Sequence, residues 1–213
     1  MRDIVIYGAG GYGKEVACLI LAINKIQNSW NLVGFIDDGL PIGESNKYGK
    51  VLGGIDFLNN LGKQLDVVMA IGNPAIQSNV AQRIINPNIE FPNIIAPDVL
   101  FMDLSMVTLG KGNIIGFRCI FSCYVKLGNF NLLNSDVFIG HDAIIGSFNM
   151  FNPSVRISGQ VSIGDTNFFG VCSIVLQNKK VGNNTSISTN SVVMRNTQDN
   201  CSYMGNPAVK MRF

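Results

Sequence analysis

From Leu109 onward the sequence keeps a beat of six residues. Successive hexads begin at Leu109, Ile115, Phe121, Leu127, Leu133, Ile139, Ile145, Phe151, Ile157, Ile163, Phe169, Val175, Val181, Ile187 and Val193, all of them Val, Ile, Leu or Phe. These four types make up about a third of the chain, so chance gives such a run on the order of once in ten million. Glycine fills eight of the fifteen second positions, at 110, 116, 128, 140, 146, 164, 170 and 182.

A period of six is neither helical nor that of an alternating strand. It fits a three-sided coil in which each hexad supplies one short strand and one corner, and three hexads close a turn of 18 residues. The large first residue points inward. The glycine is expected at the corner, where a side chain would strain the backbone. Stacked turns then pair as parallel strands about 4.8 Å apart. Every third hexad carries an amide at its fifth place, Asn113, Asn131, Asn149 and Asn167, and then Thr185. Those residues are expected to stack inside the coil as a hydrogen-bonded ladder. The outward columns are uneven. One side carries Ile114, Phe130, Leu132, Phe148, Met150 and Phe168, a second carries Ile120, Phe138 and Ile174 beside Arg118 and Arg156, and the third is polar. Two apolar sides on a rigid prism predict self-association, most simply a three-fold ring.

Residues 1–95 read differently. Strand-like runs at 3–7, 32–36, 66–71 and 90–95 alternate with helix-like stretches near 12–26, 55–61 and 75–85, which predicts a parallel α/β sheet. Gly8-Ala9-Gly10-Gly11-Tyr12-Gly13 lies between the first strand and the first helix, where bare backbone approaches a phosphate or sugar. The second strand ends in Asp37-Asp38, carboxylates placed to hold ribose hydroxyls or a base edge, and a later strand ends in Ile71-Gly72-Asn73-Pro74 at the same edge. Gly10, Gly11, Tyr12, Asp37, Asp38, Gly72 and Asn73 are the candidate substrate contacts. The Ala96-Pro97-Asp98 segment marks the expected linker, with residues 96–213 as the coil and its tail.

The chain has one histidine, His141, third in the hexad Ile139-Gly140-His141-Asp142-Ala143-Ile144. It falls on a corner, follows a glycine and precedes an acid. Imidazole titrates near neutrality, and an adjacent carboxylate strengthens it as a general base. One turn on, at the same corner, stands Gly159, whose backbone N–H faces whatever reacts at the imidazole. A formal net charge of +2 with 14% charged residues excludes a basic nucleic-acid binder. The longest apolar run, Val16 to Ile23, is eight residues, against the roughly 20 that span a bilayer. Five cysteines show no metal-ligand spacing, so no metal is expected, and reduced thiols and a cytoplasmic location are.

Together the glycine loop, Gly34-Phe35-Ile36-Asp37-Asp38, Ala70-Ile71-Gly72-Asn73, the hexads, Ile139-Gly140-His141-Asp142 and the closing Gly205-Asn206-Pro207-Ala208 resemble the bacterial sugar O- and N-acetyltransferases of surface-polysaccharide biosynthesis. These are the sialic acid O-acetyltransferase and UDP-4-amino-sugar N-acetyltransferase group, and the likeness runs from Ile4 to Lys210. The resemblance implies a Rossmann-like first domain and a left-handed parallel β-helix; the period fixes no hand, and the general crossover rule favours right. It further implies a homotrimer that uses acetyl-CoA as co-substrate and holds a nucleotide-linked deoxyamino sugar in the first domain. His141 would be the proton acceptor and Asp142 the acid that tunes it. Gly159, Gly170 and Val171 would contact the acetyl-CoA arm. Met150 stands where many members have a second histidine seated against CoA, and Ala96 where a histidine often precedes the coil. The expected activity is N-acetylation of the sugar's amino group. The alternatives are O-acetylation of sialic acid or another sugar, and a non-catalytic β-helix scaffold.

Overall fold

The structure, a computed structural model, describes residues 1–211. Its first part is a six-stranded sheet in the order β3-β4-β2-β1-β5-β6, built from β1 (Arg2–Tyr7), β2 (Trp30–Ile36), β3 (Ser45–Asn46), β4 (Gly49–Gly53), β5 (Leu65–Met69) and β6 (Ile89–Glu90). Neighbours are parallel except in the β3–β4 hairpin. Helices α1 (Gly11–Ile26), α2 (Ile55–Asn59) and α3 (Pro74–Arg83) cover it. All residues of β5 are buried, as a strand covered on both faces requires. Nothing in the sequence announces this hairpin, since Ser45–Asn46 and Gly49–Gly53 carry no alternating apolar pattern. Close packing of α1 on β1 depends on Gly13, where a Cβ would stand 1.9 Å from the Gly8 carbonyl oxygen.

The expected strand at 90–95 splits in two. Pro92 has no N–H to give a ladder, so β6 ends at Glu90 and the next strand, Ile94–Ile95, pairs instead with Ile114–Ile115 of the coil. The coil therefore begins upstream of the linker placed at Ala96.

The second part is a left-handed β-helix with three faces. Its first face stacks the strands at 94–95, 114–115, 132–133, 150–151, 168–169 and 186–187; its second those at 100–101, 120–121, 138–139, 156–157, 174–175 and 192–193. The third stacks 108–109, 126–127, 144–145, 162–163 and 180–181. First-position side chains fill the interior, and Phe151 stacks on Phe169 with ring centroids 4.7 Å apart. The amide ladder runs as expected. Asn131 Nδ2 donates to Asn113 Oδ1 at 3.2 Å, Asn149 to Asn131 at 3.0 Å and Asn167 to Asn149 at 2.9 Å, all at 0–1% exposure. Asn93, outside the hexad count, extends the ladder by accepting from the Asn113 N–H at 2.8 Å. The end of the coil is crossed by a hairpin in which Ser202–Met204 pairs with Ser186–Ile187 on one side and antiparallel with Val209–Lys210 on the other.

Two expectations need correction. The second-position glycines are not the strained corners. The left-handed backbone recurs at the fourth position of each hexad from Gly112 to Asn190, with φ between 49° and 70°, and glycine is not needed for it: Arg118, Tyr124, Phe130 and Asp142 all adopt it. From Phe130 onward these corners are held by their N–H groups, as when Asp142 donates to the Cys123 carbonyl at 3.0 Å and Gln160 to that of His141 at 2.7 Å. The glycines are required by space instead. A Cβ at Gly128 would lie 2.6 Å from the Gly146 oxygen, and one at Gly140 the same distance from the Gly159 nitrogen. Second, the first apolar side is not open to a second subunit. Ile114 and Leu132 are 1% exposed and Phe130 6%, because the chain's own first domain packs on them. The second face stays uncovered, with Leu100 at 52% exposure and Ile120, Phe138 and Ile174 half-buried.

Candidate active site

His141 sits where the chain turns from the second face to the third. Its Nδ1 lies 2.8 Å from Asp142 Oδ2. Both side chains are about half exposed, at 45% and 49%. The backbone beneath them is fixed by the coils on either side through the Asp142 and Gln160 corner bonds. With Nδ1 committed to a carboxylate, Nε2 is left as the free face of the ring. That face lies against Gly159, where a Cβ would stand 2.3 Å from Nε2. Gly159→Ala is therefore expected to displace the imidazole and lower kcat/KM about a hundredfold with little change in melting temperature; steady-state kinetics beside a thermal scan checks both.

The corner differs from its neighbour in one further way. Between the third and first faces, the third-position N–H groups are all occupied by a side chain from the coil below. Lys111 donates to Asn129 Oδ1 at 2.9 Å, Asn129 to Ser147 Oγ at 3.0 Å, Ser147 to Asp165 Oδ1 at 2.6 Å and Asp165 to Asn183 Oδ1 at 2.8 Å. Between the second and third faces, the N–H groups of His141, Gly159 and Gln177 meet no acceptor among the described residues. A row of free backbone donors, one of them under the imidazole, is an arrangement that can receive an oxyanion or amide carbonyls.

Cys119, inside the coil, is not available as a nucleophile. Burial pushes the Cys119 thiol up to about 12, and its Sγ donates to the Asn134 carbonyl at 3.0 Å.

The first-domain candidates line the carboxyl edge of the sheet. Gly10 and Gly11 are exposed, with open space where a side chain would be. Asp37 is turned partly inward: Oδ2 accepts from the Ala9 N–H of the glycine loop and Oδ1 from Gly39, both at 2.9 Å. Asp38 is a frame residue. It accepts from the Tyr7 hydroxyl at 2.6 Å and from the Ile55 N–H, at the start of α2, at 2.8 Å. Burial and the Asp38 carboxylate raise the Tyr7 phenol well above its ordinary range. Asn73 caps α3 by accepting from Ile76 at 3.1 Å, and Gly72 faces Met150 across the junction with the coil. Tyr12 lies elsewhere, in an open groove of about 380 Å³ between α1 and the corner joining the first and second faces. Phe117, Asn134, Ser135 and Pro153 complete that groove. The hexads place these four on a corner, yet nothing in their types marks them as a pocket, since α1 supplies the opposite wall.

Within the chain, then, the structure brings His141, Asp142 and Gly159 together. Met150 lies on the first face beneath the first domain, and Gly170 and Val171 on the corner joining the first and second faces, neither beside His141.

Residues 3–84 match the model of the PglD N-terminal domain family. No curated protein matches the chain. Among solved structures, the acetyltransferase domain of PglB from Neisseria gonorrhoeae in complex with acetyl coenzyme A is 25% identical, covers 99% of both chains and superposes with a TM-score of 0.88. A variant of perosamine N-acetyltransferase from Caulobacter crescentus, solved with CoA and GDP-perosamine, is 21% identical over 100% of this chain and 98% of that one, with a TM-score of 0.90. WeeI from Acinetobacter baumannii is 22% identical over 99% and 100%, with a TM-score of 0.86. The likeness first read from the motifs therefore extends to the fold of the whole chain, left-handed coil included.

Proposed function

We propose that this chain is an acetyl-CoA-dependent N-acetyltransferase acting on the amino group of a nucleotide-linked deoxyamino sugar. The observation that carries the reading is the seating of the only imidazole against Gly159, backed by Asp142 and beside free N–H donors. The likeness to the N. gonorrhoeae domain over its full length supports acetyl-CoA as the donor.

Nε2 of His141 takes the proton as the amine nitrogen attacks the thioester carbonyl. The new C–N bond forms, and the carbonyl oxygen gathers charge opposite a backbone N–H such as that of Gly159. Collapse breaks the C–S bond, and the proton held at Nε2 leaves with the CoA sulfur. Holding amine and thioester together supplies up to roughly 7–11 kcal/mol of the barrier, and one oxyanion donor about 3–4. No protein nucleophile is needed.

In this reading residues 1–95 hold the nucleotide sugar, through Gly10, Gly11, Tyr12, Asp37, Asp38, Gly72 and Asn73, and residues 96–213 hold the acetyl donor. The uncovered second face packs around a three-fold axis, as its exposed apolar residues favour. Three-fold symmetry then sets the corner joining the second and third faces of one protomer against the corner joining the first and second faces of the next. His141 comes to face its neighbour's Tyr12 groove, and Gly170 and Val171 of that neighbour approach the same cleft. No helix of the described residues is long and apolar enough to cross a membrane, and the five free cysteines suit the cytoplasm.

The test is direct. CoA at 100 times its dissociation constant adds about 2.7 kcal/mol to stability, a rise of roughly 5–10 °C in melting temperature for a chain of this size. Incubation with acetyl-CoA and UDP- or GDP-linked amino sugars is expected to give one N-acetylated product by mass spectrometry. Absence of both the shift and any acetylated product returns the chain to a scaffold role; a product acetylated on oxygen selects the other transferase.

A further inference from the structure

We propose that the carboxylate behind each general base is held by Arg156 of the next protomer in the ring, so that the site is finished only on assembly. The proposal rests on the trimeric acetyltransferase reading above.

Arg156 lies at the start of its strand on the second face, between Phe138 and Ile174 in register. Its guanidinium donates to the backbone carbonyl of Asp136 and meets no carboxylate among the described residues. The nearby acid is already taken: Asp136 accepts two parallel bonds from Arg118, at 2.8 and 2.7 Å. An arginine cannot shed its charge. Burying it on an apolar face without a counter-ion is strongly unfavourable. If three copies bury their second faces, the missing anion must come from the adjoining copy.

Symmetry limits which anion that is. The end of the second face that carries Arg156 adjoins the next protomer's corner between the second and third faces, the corner of His141. Asp142 stands there with its side chain 49% exposed. Its Oδ2 is on His141, and Oδ1 has no partner among the described residues. The heights agree. Asp136 and Asp142 are six residues apart, a third of a coil, or about 1.6 Å along the axis at the spacing of parallel strands, and the Arg156 guanidinium reaches back to the level of Asp136. The other acid near this edge, Asp103, lies two coils away along the axis, about 9.6 Å at the spacing of parallel strands, and its Oδ1 already accepts from the Ser105 N–H and hydroxyl. Arg156 is thus a positioning residue. It fixes the outer oxygen of Asp142 while the inner one orients the imidazole.

Mixed trimers separate this role from a structural one. Arg156→Glu, which sets a carboxylate against Asp142, is expected to lose activity about a hundredfold, and His141→Ala to be inactive. Each fails alone. In trimers formed from equal amounts of the two, every mixed particle contains one junction with both residues intact, so random assembly restores about a quarter of the wild-type activity. Arg156→Lys is expected to stay within about tenfold of wild type, better than Arg156→Gln. If Arg156→Glu does not assemble, Arg156→Gln takes its place in the same mixture. The proposal is overturned if the variants form mixed trimers without recovery, or if neither Arg156→Glu nor Arg156→Gln lowers activity. Full activity in His141→Ala alone sinks the acetyltransferase mechanism instead, which keeps the two failures apart.

Discussion

His141→Ala is expected to lower kcat/KM for acetyl transfer about a thousandfold, within the range for loss of a general base, and to leave the melting temperature close to wild type. The side chain is about half exposed, and its contacts are to Asp142 and to the bare backbone of Gly159. Its removal opens no cavity and strands no buried partner. The coil's hold on that corner is by main chain, through the bonds of Asp142 to Cys123 and of Gln160 to His141, which alanine keeps. The checks are rates with the nucleotide-sugar substrate, particle mass and a thermal scan. Activity near wild type in a folded, assembled variant removes the base from the mechanism. A collapse of the melting temperature would instead make His141 a structural residue.

The second large effect concerns the fold. Asn149→Leu is expected to destabilise the chain by about 3–5 kcal/mol, read from denaturant or thermal unfolding. The Asn149 amide lies in the middle of the buried ladder, where its Oδ1 accepts from both the N–H and the Nδ2 of Asn167, each at 2.9 Å, and its Nδ2 donates to Asn131 at 3.0 Å. Leucine is similar in volume, so packing is largely kept, and the loss is the desolvation of groups left without partners, about 1–3 kcal/mol each. If Asn149→Leu unfolds like wild type, the column is held by its apolar interior and the ladder is incidental.

Most of the coil could be read in advance because its determinants are periodic. A first position repeats fifteen times, and the asparagines repeat every 18 residues, so topology and register follow without any knowledge of the first domain. The reason for the glycines could not be read that way. A tight contact between coils and a left-handed backbone both select glycine, and only coordinates separate Gly128, which meets the Gly146 oxygen, from Asp142, which bends the chain. The cover over the first face was also out of reach, since an apolar column looks the same whether the first domain or another subunit lies on it. At the site, His141, Asp142 and Gly159 were legible because they are neighbours by sequence or by one coil. That Asp38 is already held by Tyr7 and Ile55 was out of reach too, because the ends of a strand serve frame and ligand alike and these partners come from other elements. The Tyr12 groove needs α1 and a coil corner at once, a juxtaposition no local pattern encodes.

The hairpin of Ser202–Met204 and Val209–Lys210 reaches beyond its own strands. A parallel column ends in unpaired N–H and C=O groups, a template on which a like column can grow into a fibre. Here Ser202–Met204, laid parallel on the last strand of the first face, is itself covered by Val209–Lys210 running the opposite way, and the tail also binds Val192 on the second face, through Val192 to Gly205 and Ala208 to Val192. The final rung thus offers a mismatched edge, which disfavours growth end to end while the uncovered second face remains able to associate.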